Sequence, residues 1–190
     1  MSSRRAETLD AFLGQIGDRG YAAVGLRDVA QAVGLGMAEL YGLFPDKVAL
    51  AGAFMARIDA EVLAGAGPST DPEETPRDRL FDTMMRRYDA LKPYRSAVRA
   101  LRQAAVADPL LGLALGAPLR RSMACILEAA SITSDGTSGA VRQMGLLAVD
   151  QALLGIFMKD DSADLSQTMA ALDRRLKTAE RWIQVIDKYI

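Results

Sequence analysis

The sequence contains no histidine, one cysteine and no excess of basic residues, and each of these shortages excludes a class of function. Without histidine the chain lacks the commonest general base and the commonest metal ligand. Cys125 has no partner for an internal disulfide, and its apolar surroundings favour a small buried side chain over a nucleophile. Gly-rich phosphate loops and metal-ligand clusters are also missing. We therefore expect no enzyme, no cofactor, no catalytic residue and no metal site, in a reducing, cytoplasmic setting.

Positive charge and long apolar runs are scarce as well. The 190 residues carry a net charge of −1 with a pI near 5.6, so the whole chain has no basic footprint for nucleic acid. No uninterrupted apolar run reaches the roughly 18–20 residues that a membrane span needs. The N-terminus is polar where a signal peptide would be apolar. These features predict a chain without a membrane span or a targeting segment.

Apolar residues recur at spacings of three and four, and period-2 alternation is missing, which predicts an all-α fold of about nine helices. Gly20 is the expected left-handed residue after the first helix, and Asp46 is the expected N-cap of a long fourth helix. Pro93, Pro109 and Pro118 separate the later helices. The predicted helices cover residues 4–16, 26–33, 37–43, a long stretch after Asp46, 77–91, 94–107, 117–130, 140–158 and 165–189.

A segment rich in proline, glycine and acidic residues, "GAGPSTDPEETP" at 65–76, is the clearest break in the chain and indicates an exposed linker. The predicted organisation is a helix-turn-helix domain at 1–47, a connecting helix at 48–64, the linker at 65–76 and a larger helical domain at 77–190.

Residues 9–50 carry a specific resemblance. "RGY" follows the first helix, "LRDVAQAVGL" forms the second and "LYGLFPDK" ends the third, with Gly34 in a tight turn between the two short helices. This stretch resembles the DNA-binding domain of TetR/AcrR-family regulators. The resemblance implies a DNA-binding transcriptional regulator, a repressor, that binds a double-stranded operator as a homodimer. It also implies that the larger helical domain binds a small apolar effector and forms the dimer.

The contact positions depart from the usual basic pattern of that family, because only Tyr41 and Lys47 keep it. Up to Lys47 the chain holds five basic and six acidic residues, which is poor in the cations that neutralise phosphates. Glu39 has two interpretations: it complements the helix dipole, or it accepts a hydrogen bond from a cytosine amine. The candidate DNA-binding residues are Arg4, Arg5, Arg27, Met37, Ala38, Glu39, Tyr41, Gly42 and Lys47.

Methionines and aromatic residues of the larger domain suit either an adaptable apolar pocket or an ordinary core. Asp150 stands alone in an apolar helix, where it could anchor a ligand or face solvent. The candidate pocket residues are Phe81, Met84, Met85, Tyr88, Met123, Leu127, Asp150, Leu154 and Phe157.

The last helix holds a regular apolar seam with alternating steps of four and three, a helix–helix packing signal. The resemblance implies that this seam forms the dimer interface; the alternative is a seam that faces its own domain. Asp164 and Gln167 resemble a capping box at its start. The candidate interface residues are Leu165, Met169, Leu172, Leu176, Ala179, Ile183 and Ile186.

One alternative function remains from sequence: a TetR-fold lipid-binding protein that no longer binds DNA, similar to the accessory protein of ubiquinone biosynthesis. It accounts for the lost basic contacts and for the apolar C-terminal end, which could touch a membrane surface. Six cations between residues 86 and 102 form either a solvated helix face or a surface attracted to anionic lipid or an acidic partner. They are Arg86, Arg87, Lys92, Arg95, Arg99 and Arg102.

Overall fold

The structure is a computed structural model that describes residues 3–65 and 74–187, with side chains up to residue 178. Over these ranges the chain is all-helical, as predicted, with nine α-helices and one 3₁₀ turn at Lys92–Tyr94. The helices are α1 (Ser3–Arg19), α2 (Leu26–Ala32), α3 (Met37–Leu43), α4 (Lys47–Ala64), α5 (Pro76–Leu91), α6 (Arg95–Ala107), α7 (Pro109–Ala129), α8 (Gly136–Phe157) and α9 (Ser166–Asp187).

The chain divides into two compact units, each built from two separate segments. The first unit comprises Met1–Ile58 and Leu91–Leu119, and the second comprises Asp59–Ala90 and Arg120–Ile190. Helices α4 and α7 therefore contribute residues to both units. The sequence-based domain bounds stay a prediction, and most of the predicted linker lies outside the described residues.

The first unit has a core formed by the apolar stripes of its helices. Leu9, Phe12, Leu13 and Ile16, the predicted inner face of α1, are all buried. The ring of Phe12 meets that of Tyr21 edge to face, with centroids 6.3 Å apart. Each fully buried side chain of this size contributes about 1.5–3 kcal/mol by leaving water. The core thus fixes α1 against the short helices that follow it.

The predicted beginning and end signals of the early helices are confirmed. Gly20 has a φ of +83°, and its amide donates to the Ile16 carbonyl at 2.9 Å, which ends α1. The Asp46 carboxylate accepts a hydrogen bond from the Ala49 amide at 2.7 Å, as expected for the N-cap of α4.

The start of α7 corrects a prediction. The helix begins at Pro109 rather than near residue 117, and Pro118 lies inside it. Asp108 caps its first turn by accepting hydrogen bonds from the amides of Leu110 (2.9 Å) and Leu111 (3.2 Å). Pro109 then occupies a first-turn position that needs no N–H. The ring of Pro118 lies against Gly52 of α4, where a larger residue would leave less room.

The start of α9 also differs from the predicted capping box. The first helical residue is Ser166, and Leu165 before it has a φ of +54°. The first turn is capped mainly from further upstream, because the buried Asp160 carboxylate accepts from the Thr168 amide (2.7 Å) and hydroxyl (2.8 Å). Asp164 contributes less to this cap, because it accepts a hydrogen bond only from the Ser166 amide, at 3.2 Å.

Helices α7 and α8 are long and apolar enough to cross a membrane when judged by length and composition alone. This is a weak indication, because core helices of globular proteins meet the same criterion. About the middle of α8 lies Asp150, which is fully buried and engaged by protein partners. Such an anchored charge is ordinary for a helix that packs within a helical unit.

Candidate functional site

The first unit contains a helix-turn-helix made by α2, the turn at 33–36 and α3. Gly34 has a φ of +65°, a conformation that glycine adopts without strain. The Leu35 amide donates to the Ala30 carbonyl at 2.9 Å and closes the turn. Val29 of α2 and Leu40 of α3 are fully buried. This packing holds α3 in a fixed orientation against its supporting helices.

The opposite face of α3 is open to solvent. The structure brings Ala38, Glu39, Tyr41 and Gly42 together on this exposed face, and Tyr41 is 53% exposed. Met37 is only half-buried at the start of the helix. An exposed second helix of this length is the element that enters the major groove in helix-turn-helix proteins. Five of the predicted contact residues are thus accessible on one helix.

Lys47, in contrast, is directed into the first unit. Its Nζ donates to the carbonyls of Tyr21 and Val24, both at 2.9 Å, and lies 4.1 Å from the centroid of the Tyr21 ring. Burial lowers the pKa of Lys47. The ammonium therefore joins the loop after α1 to the start of α4, a structural use that the sequence pattern did not indicate.

Arg5 also binds inside the first unit, at the C-terminal end of α3. Its guanidinium donates to the Leu43 carbonyl and lies over the Phe44 ring, 4.2 Å from its centroid. Leu43 is the last residue of α3, so this bond satisfies a helix-terminal carbonyl. Arg27 is exposed, and the exposed Arg4 pairs with Glu7 at 3.2 Å. Of the predicted cationic contacts, only Arg4 and Arg27 thus face outward.

Arg57 is a structural residue of the first unit that the sequence interpretation missed. This α4 side chain pairs with Asp10 of α1 and also lies 3.5 Å from the Tyr94 hydroxyl. It joins residues 47 and 37 positions away in the chain, and no local pattern predicts such partners. The bonds connect the first helix, the fourth helix and the 3₁₀ turn.

The second unit contains a buried polar cluster centred on Arg87. Its Nη1 donates to Ser122 Oγ at 2.8 Å and lies 3.3 Å from Asp59 Oδ1, while its Nε lies 3.5 Å from Asp150 Oδ1. The Ser122 hydroxyl donates to Asp59. Burial raises the pKa of Asp59, although the Ser122 hydrogen bond and the Arg87 charge act in the opposite direction.

Tyr88 connects this cluster to the apolar core of the second unit. Its hydroxyl donates to Asp150 Oδ1 at 3.1 Å, and its ring lies 5.1 Å from that of Phe157. Burial and the Asp150 charge raise the pKa of Tyr88 well above its ordinary value, so the phenol stays a neutral donor. Asp150 is fully buried, which rules out the solvent-facing interpretation.

The predicted pocket residues converge in the second unit, most of them deep in its core. Phe81 and Met85 are half-buried, while the others are buried. The buried members are Met84, Tyr88, Met123, Leu127, Asp150, Leu154 and Phe157. Arg87, predicted within a solvated cationic face, is buried beside them. The burial of Arg87 could have been predicted from spacing, because Arg87 lies on the same helical face as the buried Met84 and Leu91.

The predicted dimer seam is placed partly inside the second unit. Leu165, Leu172 and Leu176 are buried within the described chain, whereas Met169 is 38% exposed. Ala179, Ile183 and Ile186 have side chains outside the described residues. An exposed apolar stripe lies instead on α8. Its members, at helical spacing, are Val141, Met144, Gly145, Ala148 and Ala152.

A helix-turn-helix whose second helix is exposed is the arrangement by which helix-turn-helix proteins dock on DNA. Residues 9–54 match the family model of bacterial regulatory proteins of the tetR family. This match covers the helix-turn-helix that the sequence pattern predicted, and the helical fold of the whole chain is shared with solved TetR regulators.

Solved structures of the family share the fold over nearly the whole chain. The TetR transcriptional regulator from Nitrosomonas europaea ATCC 19718 is 20% identical over 94% of this chain and 99% of its own, with a TM-score of 0.74. A TetR regulator from Rhodococcus sp. RHA1 is 23% identical over 93% and 97%, with a TM-score of 0.57. The repressor AlkX from Dietzia sp. DQ12-45-1b, implicated in n-alkane biodegradation, is 16% identical over 95% and 97%, with a TM-score of 0.57. No curated protein matches the sequence significantly.

Proposed function

We propose that this protein is a TetR-like transcriptional regulator, a cytoplasmic, homodimeric repressor that releases its operator when a small apolar effector binds in the second unit. The observation that carries the DNA-binding part is the exposed face of α3 on a packed helix-turn-helix. With Arg5 and Lys47 directed inward, few cations remain for phosphates, so Arg4, Arg27 and the dimer supply most of the electrostatic attraction.

The effector part of the proposal is supported by the buried residues of the second unit. Met84 and Met123 are flexible and polarisable, and Tyr88 and Phe157 provide aromatic surface. Asp150 and the Tyr88 hydroxyl form one polar pair within this apolar region. Apolar side chains with a few polar groups are the usual lining of a small-molecule site. Binding there would shift the population of the second unit's conformations and so change the affinity for DNA.

The DNA part is tested by selecting binding sequences from random double-stranded DNA with the full chain. We expect enrichment of two related half-sites about one helical turn apart, or a multiple of that distance. Affinity, followed by fluorescence anisotropy, should fall steeply as salt rises. If no sequence is enriched even at low salt, and the protein binds liposomes instead, the lipid-binding alternative is the better interpretation.

Two cation variants separate a phosphate contact from a structural lysine. Arg27→Ala should weaken binding to all sequences and reduce the salt slope by about 1, with the thermal midpoint unchanged. Lys47→Met should lower the thermal midpoint, because the carbonyls of Tyr21 and Val24 lose their donor. Equal thermal midpoints for Lys47→Met and the wild type would contradict the structural role of Lys47.

The effector part is tested with a linear n-alkane as the probe, chosen because the Dietzia repressor of the same fold is implicated in n-alkane biodegradation. An alkane that binds the folded chain should raise the thermal midpoint of the protein. If alkane binding and DNA binding are coupled, the alkane lowers the affinity for DNA by the same factor by which DNA lowers the affinity for the alkane. A raised midpoint without any change in DNA affinity would contradict release by this class of effector.

A further inference from the structure

We propose that Glu39 reads a cytosine in each half-site of the operator. The proposal rests on the proposed DNA binding by α3. Glu39 is the only charged residue in α3, and its side chain is exposed. Among the residues that the structure describes, no hydrogen bond or ion pair engages it. The cations nearest in sequence, at Lys47 and Arg27, do not pair with it either.

The exposed face of α3 carries only two long polar side chains, Glu39 and Tyr41, and its other residues are small. Ala38 is small, and a Cβ built on Gly36 or Gly42 would meet no atom within 4 Å. Such a face allows the helix backbone to lie close to the floor of a groove. Glu39 and Tyr41 then extend furthest toward the base edges, while Leu40 points into the core.

The chemistry of a carboxylate decides which base it can bind. Phosphate oxygens repel it, and it can only accept hydrogen bonds. In the major groove guanine presents two acceptors and thymine presents one acceptor with a methyl group, so neither offers a donor. Adenine places its N6 amino donor beside the N7 acceptor, which repels a carboxylate. Cytosine presents the N4 amino donor without a neighbouring acceptor on the same base, so cytosine is the base that Glu39 favours.

Base preference is measured by parallel selections from random DNA with the full-length wild type, Glu39→Gln, Glu39→Ala and Asp18→Asn. Asp18 is exposed on α1, so its variant removes the same charge without altering α3. The wild type should enrich cytosine at one position in each half-site. Glu39→Gln should enrich adenine there, because an amide binds adenine N6 and N7 together. Glu39→Ala should lose the preference at that position alone.

Affinity measurements with the enriched site give the size of the effect. Replacing that cytosine by thymine should weaken the wild type roughly 5- to 100-fold and Glu39→Ala by less than about twofold. Asp18→Asn should strengthen binding to all sequences equally and keep the cytosine.

Two outcomes are kept apart by this design. If the wild type enriches a half-site but Glu39→Gln selects the same base at every position, the assignment of Glu39 is overturned while DNA binding stands. The same holds if Asp18→Asn changes the preference as much as Glu39→Gln does, since general electrostatics would then explain it. Failure of all four proteins to enrich any sequence would overturn both the assignment and the proposed repressor function.

Discussion

Arg87 is almost fully buried and is shared by two carboxylates and a hydroxyl of the second unit. Asp59 comes from α4, Ser122 from α7 and Asp150 from α8. The Arg87 guanidinium therefore connects these three helices to its own helix, α5. Arginine suits this position because its planar group donates in several directions and stays charged when buried. A buried charge of this kind is tolerated only while its partners remain.

Replacing Arg87 by methionine should destabilise the protein by about 3–5 kcal/mol, because the buried Asp150 and the half-buried Asp59 lose their cation. The measurement is urea unfolding followed by circular dichroism. Burial already raises the pKa of Asp59, and loss of the guanidinium should raise it further. A carboxyl whose pKa is raised in the folded state stabilises that state at low pH, where it is protonated. The stability lost by Arg87→Met should therefore be smaller near about pH 5 than near about pH 7.

The matched control is the triple variant with Asp59→Asn, Arg87→Met and Asp150→Asn. It carries no buried charge at these positions, so it should recover part of the lost stability. Equal stability of Arg87→Met and the wild type would show that the ion pairs contribute nothing.

The segment between α8 and α9 shows at the scale of an element how a helix start is set. Asp160 is buried and accepts hydrogen bonds from Ser162 and from both donors of Thr168. Burial by itself would raise the pKa of Asp160, but these hydrogen bonds lower it to about 2. An acid that lies several residues before the first helical residue thus acts as the cap of α9.

Stability should depend on pH through Asp160. The pKa of Asp160 is about 2 in the folded state and about 3.9 in the unfolded chain. Its carboxylate therefore contributes its full stabilisation of the folded state at a pH above about 3.9. The contribution should disappear as the pH falls from about 4 toward 2. Asp160→Asn should lower the urea midpoint near neutral pH, and the difference from the wild type should shrink across this window.

Asp82→Asn is the control for the Asp160 experiment, because Asp82 is an exposed acid of the same unit. Its midpoint should follow that of the wild type at each pH. A difference between Asp160→Asn and the wild type that stays constant down to the lowest pH would contradict the role given to the carboxylate.

At the scale of the whole molecule, the operator contacts proposed here require two copies of the chain. The buried position of Leu165, Leu172 and Leu176 leaves much of the predicted α9 seam occupied by its own unit. The α8 stripe is different, since Val141 and Met144 are 54% and 57% exposed. Glycine and alanine continue the stripe, and small residues allow two helices to approach closely.

Met144→Glu should therefore break the homodimer, because it places a charge in an apolar interface. In light scattering the wild type should have about twice the chain mass of 20.4 kDa, and the variant about that mass itself. The variant should also lose specific DNA binding, since one half-site supplies too few contacts.

Leu113→Glu is the matched control, because Leu113 is equally apolar, 78% exposed and part of the first unit in α7. Its dimer should persist. Dissociation of both variants, or of neither, would place the dimer contact elsewhere.

Local signals in the sequence predicted most of the helices and the helix-turn-helix. The turn glycines Gly20 and Gly34 and the N-cap Asp46 act within a few residues of themselves, so a linear pattern is enough to locate them. Pro118 misled the prediction of α7, because the helix is capped at Asp108 and continues through this proline, whose ring lies against Gly52.

The sequence by itself determined the all-helical fold and the residues of the exposed face of α3, since these depend on apolar spacings of three and four. Only the tertiary structure decided how the charges are used. It turned Lys47 and Arg5 inward, buried Arg87 and Asp150, and left Glu39 outside. The physical reason is that the partners of a charge are set by distances in space, and here they lie about 20 to 60 positions away along the chain.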